Sequence, residues 1–264
     1  IVIYNALGWD VPTFGHISLI MGKDGKKMSK RHGATSVEQY KNLGYLPEAI
    51  NNFLALMGWA PEGEQELFTT EELIKNFSMD RVAKNPAVFD IDKLNWINFN
   101  YMKKLTDEEL YTLCLPSLQE AGYASAQPDE EEKARLTMLC VCLKDHISYG
   151  AQIKEEAAMF FTDSISIDEE HRDDIKAVLA EESCPTVLAA FSDKLKAMDE
   201  VTPEQVKAAI KAIMKETKLK GKFVFMPIRV AITGQMHGPD LNYIVPLLGR
   251  DTVLARLASV DTLA

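Results

Sequence analysis

Signals for the start of a helix recur along most of this chain and restrict its main body to α-helices. Residues 69–72 read Thr-Thr-Glu-Glu, residues 106–109 read Thr-Asp-Glu-Glu, and residues 202–204 read Thr-Pro-Glu, each ahead of an apolar run. Residues 47–50 begin with proline and glutamate in the same way. Acidic residues suit the first turn because they face the positive end of the helix dipole, and proline fits its first position. We therefore predict a mainly α fold.

The other element predictions follow from apolar patterning and from proline and glycine. Residues 1–4 and 17–21 read as short strands, and residues 223–225 read as a weak strand signal. Helices are expected over residues 34–43, 130–148 and 251–258. The clearest break resembling a linker is Gln127-Pro128-Asp129.

A short basic segment carries the strongest chemical signal. Residues 23–31 hold five lysine or arginine side chains against one acid, and glycines lie before, within and after the segment. Lysine binds phosphate as a point charge on a flexible stem, and glycines allow a loop to close over a ligand. Such a loop suits stabilisation of a transferring phosphoryl or adenylyl group. The simpler interpretation, on these residues alone, is a solvated basic turn.

The charge of the chain is segregated. Its formal net charge is −10, yet residues 207–229 hold seven basic side chains against Glu216. The acids gather elsewhere, for example over residues 129–132 and 168–174. This pattern fits a local phosphate-binding patch on a surface that otherwise repels nucleic acid. A solvated helix face explains the patch equally well.

Cysteine and histidine usage argues against a metal centre. No two of the four cysteines are separated by two intervening residues, the spacing typical of a zinc site, and the five histidines are scattered. The apolar surroundings of Cys140 and Cys142 favour buried thiols in a reducing cytosol, so we expect a cytoplasmic protein. No run of 18 apolar residues occurs, and we expect no membrane span.

Longer stretches around the basic segment resemble bacterial glutamyl-tRNA synthetase, a class I aminoacyl-tRNA synthetase. The resemblance runs through residues 6–9 and 14–16 into Lys27-Met28-Ser29-Lys30-Arg31, the second signature motif of that class. It continues over residues 45–59 and 89–98, and near the end over residues 227–239. It thus covers nearly the whole chain.

This resemblance implies roles for the signature residues. Lys30 is implied to contact ATP and to be catalytic, with Lys27 in support. Met28 and Ser29 are implied to be ATP-binding, with Met28 anchoring the loop on apolar surface and Ser29 donating a hydrogen bond. Arg31 stands where the general class I motif has serine, and either binds phosphate or pairs with an acid. ATP is expected with Mg²⁺, and no metal is expected to be held by protein ligands.

What the sequence lacks shapes the expected domain organisation. The class begins with a dinucleotide-type fold that carries a His-Ile-Gly-His motif, and that tetrapeptide does not occur here. We therefore expect a C-terminal fragment that is inactive alone. Residues 1–105 would be the end of the catalytic region with the signature loop and stem-contact helices. Residues 106–264 would form an all-α, helical-cage anticodon-binding region, with a subdomain break near residue 127.

The partners follow from the same resemblance. They are tRNA(Glu), with tRNA(Gln) left open, ATP, and L-glutamate through the missing domain; we expect a monomer. Candidate tRNA contacts are basic residues of the second half: Lys222, Arg229, Arg250 and Arg256, with Arg135 and Arg172 also considered. Two rivals remain open at this point. One is a glutaminyl-tRNA synthetase relative, which would carry β-barrels after the loop, and the other is a non-catalytic tRNA- or protein-binding module.

Overall fold

A computed structural model describes residues 1–29, 36–162, 165 and 167–260. The chain folds into two compact units, Ile1–Tyr101 and Met102–Ala264. The helices of the first unit and its boundary are α1 (Val2–Leu7), α2 (Val37–Asn42), α3 (Pro47–Leu56), α4 (Thr70–Asn76) and α5 (Ile91–Met102). Strands β1 (Ile20–Met21) and β2 (Ala87–Val88) form a two-stranded parallel sheet. Ile20 pairs with Ala87, and Met21 with Val88.

The described part of the second unit is helical and contains no strand. Its helices are α6 (Asp107–Glu120), α7 (Glu130–Leu143), α8 (Ile153–Ala157), α9 (Arg172–Leu179), α10 (Cys184–Lys196), α11 (Pro203–Thr217), α12 (Lys222–Thr233), α13 (Leu241–Leu248) and α14 (Arg250–Ala258). The prediction of a mainly α fold is confirmed. None of the helices described is both long and apolar enough to cross a membrane.

Side-chain caps explain where several helices begin. Thr69 and Thr106 each accept a hydrogen bond from the backbone N–H three residues later, and Glu72 and Glu109 return the bond to the cap. Thr202 caps α11 from its hydroxyl, with Pro203 in the first turn. These bonds satisfy N–H groups that a helix start leaves without partners. The predicted helix starts at these three positions are confirmed.

Aromatic and apolar residues hold the first unit together. The ring of Phe89, which follows β2, contacts Phe53 at 5.0 Å and Tyr40 at 6.1 Å between centroids. Trp59 packs on Phe68 at 5.8 Å. Asn52 is fully buried and bridges α3 to residues 66–68 through the Glu66 carbonyl and the Phe68 N–H. The Phe89 contacts fix the residue that follows β2 on the aromatic core of this unit.

Three sequence predictions of element type or length were wrong. Residues 2–7 form a helix ended by Gly8, and residues 223–225 lie in α12. A β-branched or aromatic run favours a strand only where a neighbouring strand pairs with it, and neither segment has one in the structure described. Helix α7 ends at Leu143, short of the predicted residue 148, and the following residues turn through the His146 N–H bond to Leu143.

Candidate functional site

The basic segment begins in a β-hairpin. Met21 and Lys27 form an antiparallel bridge, the Gly22 N–H donates to the Lys26 carbonyl at 2.8 Å, and the Met28 N–H donates to Ile20 at 3.2 Å. The turn contains Gly25 at a φ of 72°, a conformation that glycine adopts without steric cost. The hairpin therefore gives residues 20–28 a defined backbone course into Ser29.

The hairpin sets the positions of the first three residues of the signature motif. Lys27 is exposed, whereas Met28 and Ser29 are half-buried. An exposed ammonium at the end of a hairpin strand can reach a phosphate, and a half-buried methionine can anchor the segment on apolar surface. Lys30 and Arg31, the other two predicted signature residues, lie outside the described residues. The ATP-binding and catalytic roles of all five residues stay predictions.

A second basic surface lies where α11 meets α12. It consists of five exposed side chains, and we call it the lysine–phenylalanine surface: Lys218, Lys220, Lys222, Phe223 and Phe225. The two rings are 38% and 37% exposed, although large apolar side chains usually lie inside a protein. Lysines neutralise phosphates and aromatic rings stack on unpaired bases, so this composition suits a single-stranded stretch of RNA.

Lys218 takes an unusual backbone conformation in this surface. It ends α11 at φ 57° and ψ 21°, and it is the only non-glycine residue with positive φ among those described. A lysine in this left-handed region carries a steric cost that glycine would avoid. The turn thus holds Lys218 and Lys220 close to the start of α12 at some expense in stability.

Arg229, a predicted tRNA contact, is half-buried and supports a turn. Its Nη2 donates to the Pro239 carbonyl at 2.8 Å, and its Nη1 is buried without a hydrogen-bond partner. Burial lowers the pKa of the Arg229 guanidinium, and the negative charge of Asp240 opposes this shift. The guanidinium lies beneath residues 234–239; a Cβ added at Gly238 would stand 3.3 Å from Nη1.

Two predicted tRNA contacts need correction. Arg256 is only 4% exposed, and its guanidinium donates to the carbonyls of Ile232, Met159 and Thr162. Arg250 is half-buried, and its Nη2 donates to the carbonyls of Met198 and Asp199. Both cations are engaged by backbone oxygens of the fold and not by solvent, which makes them poor partners for an RNA phosphate. Lys222 alone of the four predicted contacts is fully at the surface.

The two further arginines considered are exposed, and each contacts another side chain of the protein. The Arg135 guanidinium lies 5.2 Å from the centroid of the Phe161 ring, which stacks on Tyr123 at 4.3 Å. Arg172 forms an ion pair with Glu169 three residues earlier. Neither lies in the lysine–phenylalanine surface as defined.

The segment after α12 forms a tight turn beside a small cavity. The Asp168 N–H donates to the Gly234 carbonyl at 3.0 Å, and the His171 ring meets that of His237 edge to face at 5.4 Å. The cavity has a volume of about 380 Å³ and is lined by residues from four segments, among them Glu155, Thr233, Gln235 and Pro239. The hydrogen bond between His171 Nδ1 and the Asp168 carboxylate raises the pKa of His171 above its ordinary value.

No functional role was assigned from the sequence to the two phenylalanines of the lysine–phenylalanine surface; its three lysines lie in the basic patch over residues 207–229, although only Lys222 was named as a tRNA contact. The signal was available in part, because lysine alternates with other residues around Gly221. Phe223 and Phe225 were assigned to a strand, and a strand would have buried one face. The buried arginines also carried a signal: Arg229 and Arg256 are each flanked by apolar residues in helices.

The described residues provide no group of three or more metal-ligating side chains. All four cysteines are buried free thiols. Burial raises the pKa of Cys142 to about 12, and contact with Cys114 raises that of Cys140 further still. The thiols of Cys140 and Cys142 are therefore protonated at neutral pH, and all four cysteines act as core side chains.

Comparison with known proteins gives the class. Residues 1–96 match the family of tRNA synthetases class I (E and Q), catalytic domain, and residues 109–260 match the anticodon binding domain. The signature hairpin falls in the first match and the lysine–phenylalanine surface in the second. The chain therefore has the parts of a class I aminoacyl-tRNA synthetase.

The relatives define the family. The glutamate–tRNA ligase of Desulforamulus reducens is 54% identical over 97% of this chain, and that of Bacillus subtilis is 48% identical over 98%. Among solved structures, a glutamate tRNA ligase from Elizabethkingia meningosepticum, in complex with its amino acid, superposes with a TM-score of 0.77 at 26% identity over the whole chain. The chain belongs to the bacterial glutamate–tRNA ligase family. It spans about half the length of these relatives, 53% of each curated one and 54% of the solved one.

The fold decides against one of the two rival interpretations left open by the sequence. The helices from α6 to α14 contradict the β-barrels expected of a glutaminyl relative, within the residues that the structure describes. The relatives are named as ligases.

Proposed function

We propose that this chain is the tRNA-binding part of a glutamate–tRNA ligase. The full-length ligase would activate glutamate with ATP and Mg²⁺, release pyrophosphate and attach the glutamyl group to tRNA(Glu). Whether tRNA(Gln) is also a substrate is decided by experiment. We propose that the ligase acts in the cytoplasm as a monomer.

The proposed division of labour follows the chain. Residues 1–105 would contribute the signature loop and stem-contact helices, and residues 106–264 the anticodon-binding region. Lys27 and Lys30 would neutralise charge that builds on the ATP phosphates during adenylyl transfer, with Met28, Ser29 and Arg31 supporting the loop. The exposed Lys27 at the end of the hairpin supports this assignment.

The observation that carries the tRNA assignment is the lysine–phenylalanine surface within the segment that matches the anticodon binding domain. Its lysines lie close along the chain, on and beside the α11–α12 turn, and its rings are available for stacking. Each base stacked on an aromatic side chain contributes about 1–3 kcal/mol to binding. A surface of this kind binds an unpaired loop more tightly than a duplex of equal charge, because a duplex keeps its bases paired.

The test is tRNA(Glu) affinity as a function of salt, measured by fluorescence anisotropy on this chain. Lys222→Ala should weaken binding and reduce the slope of log K against log salt by about 0.7–0.9, because one phosphate contact is lost. Phe223→Ala should weaken binding and leave the slope unchanged, because stacking releases no counterion.

Lys176→Ala is the matched control, since this exposed lysine lies on α9 among acidic residues. It should leave affinity and slope as they are. Equal effects of Lys176→Ala and Lys222→Ala would remove the assignment of this surface, and absence of tRNA binding by the unaltered chain would remove the proposed function.

A further inference from the structure

The turn of the signature hairpin is held by two carboxylates. The Lys23 ammonium lies 2.6 Å from Asp92 Oδ2 and 3.0 Å from Asp90 Oδ1. Both acids belong to the start of α5, in a distant part of the sequence. The hairpin is therefore attached at its turn as well as at its strand.

The carboxylates that bind Lys23 are held in place by the surrounding structure. Asp90 directly follows Phe89, whose ring packs against Phe53 and Tyr40 and whose N–H donates to the Met21 carbonyl at 2.8 Å. Asp90 Oδ1 also accepts the Asp92 N–H at 3.1 Å and so holds the first turn of α5. Lys23 consequently reaches from the hairpin to a helix start that is anchored in the core.

The strand pairing that holds the hairpin is short. β1 and β2 are two residues long each, and short isolated strand pairs are marginally stable in water. The ion pairs are exposed, with Lys23 and Asp92 side chains 56% and 76% accessible. Exposed pairs add little to global stability. Any effect of Lys23 therefore falls on the local position of the hairpin.

Resting on the proposed function, we infer that Lys23 is a positioning residue for adenylyl transfer. Through Asp90 and Asp92 it holds the hairpin so that Lys27 lies at the ATP phosphates. Lys23 itself makes no contact with substrate. The ion pair is maintained at neutral pH, since the carboxylates raise the pKa of Lys23 and Lys23 lowers the pKa of Asp90.

The first test is glutamate-dependent ATP–pyrophosphate exchange by the full-length ligase, with tRNA saturating. Lys23→Met and Asp92→Asn should each lower kcat about tenfold with little change in the KM for ATP, because small misplacements of a catalytic group act on the transition state. The double variant should be no slower than the slower single one. Lys23→Arg should recover most of the rate, and Lys75→Met, an exposed lysine on α4, should match the unaltered enzyme.

Two kinetic results would contradict the inference. One is a kcat for Lys23→Met within twofold of the unaltered enzyme. The other is Lys23→Arg as slow as Lys23→Met, which would mean that the charge is not what positions the hairpin. Asp90 is left unchanged in these tests because it also supports the start of α5.

A second measurement on this chain separates the inference from the proposed function. By hydrogen exchange, the Gly22 and Met28 amides should exchange severalfold faster in Lys23→Met, and the Phe53 amide in α3 should not change. Unchanged Gly22 and Met28 amides would overturn the inference. A full-length ligase that performs no exchange reaction, combined with faster Gly22 and Met28 amides, would overturn the proposed function and keep Lys23 as the residue that holds the hairpin.

Discussion

Burial separates the basic residues of the second half into two kinds. Arg256 and Arg250 donate to backbone carbonyls of the fold, and Arg229 supports the turn at Pro239. Lys218, Lys220 and Lys222 extend into solvent. Arginine suits the first task because its planar fork satisfies several oxygens at once, and lysine suits contact with a mobile phosphate backbone.

Arg256→Met should destabilise the chain by about 2–4 kcal/mol, because one buried and two part-buried backbone carbonyls lose a charged donor. Urea unfolding of this chain measures the change. Lys222→Met, at an exposed site, should stay within about 0.5 kcal/mol. A stable Arg256→Met variant with weakened tRNA binding would show that Arg256 is a tRNA contact after all.

Lys218→Gly should stabilise the chain by about 1 kcal/mol, since glycine takes the left-handed conformation at the end of α11 without strain. Its affinity for tRNA should nevertheless fall, because a positive charge is lost. Lys218→Ala is the matched control: it loses the same charge, keeps the strain and should give no gain in unfolding free energy. Equal stability of the two variants would contradict the strain at this position.

Only some of the residues of these sites can be recognised from the sequence. The signature motif is readable because it is a contiguous string, and Lys222 because it is a lysine in a basic run. Arg250 and Arg256 were chosen on charge alone, and charge does not report burial. The pairing of Lys23 with Asp90 and Asp92 depends on a tertiary contact between distant segments, which no local pattern encodes.

At the scale of elements, the helix starts followed their local signals, whereas two of the three predicted strands are helical. Capping by Thr69, Thr106 and Thr202 is a contact within four residues, so the sequence contains all of its determinants. A strand needs a partner, and the parallel pairing of Ile20 with Ala87 joins residues far apart in sequence. Residues 223–225 have the composition of a strand and the surroundings of a helix, and the surroundings decide.

The contact between the segment 168–171 and the turn after α12 should weaken as the pH rises. Asp168 raises the pKa of His171 above about 6.5, with further attraction from Glu170 and Asp174; His237 faces the same ring. A raised histidine pKa stabilises the folded state below the unfolded pKa, and this contribution disappears as the pH rises through the folded value.

Hydrogen exchange of the Asp168 amide, which donates to Gly234, measures this dependence. Protection, corrected for intrinsic exchange, should be constant between about pH 5 and 6.5, where Asp168 is ionised and His171 is protonated, and should fall at higher pH. His171→Gln should abolish the fall, and the Leu118 amide in α6 should show none. Protection that increases with pH would mean that the neutral imidazole makes the stronger contact.

At the scale of the whole molecule, the two matched families cover different parts of the chain. The signature hairpin lies in residues 1–96, and the lysine–phenylalanine surface lies in residues 109–260. The chain's net charge of −10 disfavours non-specific RNA binding away from these basic segments. Specific tRNA would then be selected where positive charge and exposed rings coincide.

The two sites should fail in different ways in the full-length ligase. Lys30→Ala should slow glutamyl-adenylate formation about 10²- to 10³-fold, as expected when a cation is lost where charge develops. The combined Lys222→Ala and Phe223→Ala variant should weaken tRNA binding and leave ATP–pyrophosphate exchange nearly unchanged with tRNA saturating. Unchanged exchange kinetics in Lys30→Ala would remove Lys30 from the catalytic group.

The most direct test is charging of tRNA with radiolabelled glutamate by the full-length ligase, with tRNA(Glu), tRNA(Gln) and tRNA(Glu) of altered anticodon compared at equal concentration. The proposed function predicts glutamyl-tRNA(Glu) formation that depends on ATP and that falls strongly when the anticodon is altered. The tRNA(Gln) sample shows whether that tRNA is also a substrate. No glutamate attached to tRNA(Glu), or equal charging with and without the correct anticodon, would contradict a glutamate–tRNA ligase whose helical half reads the anticodon.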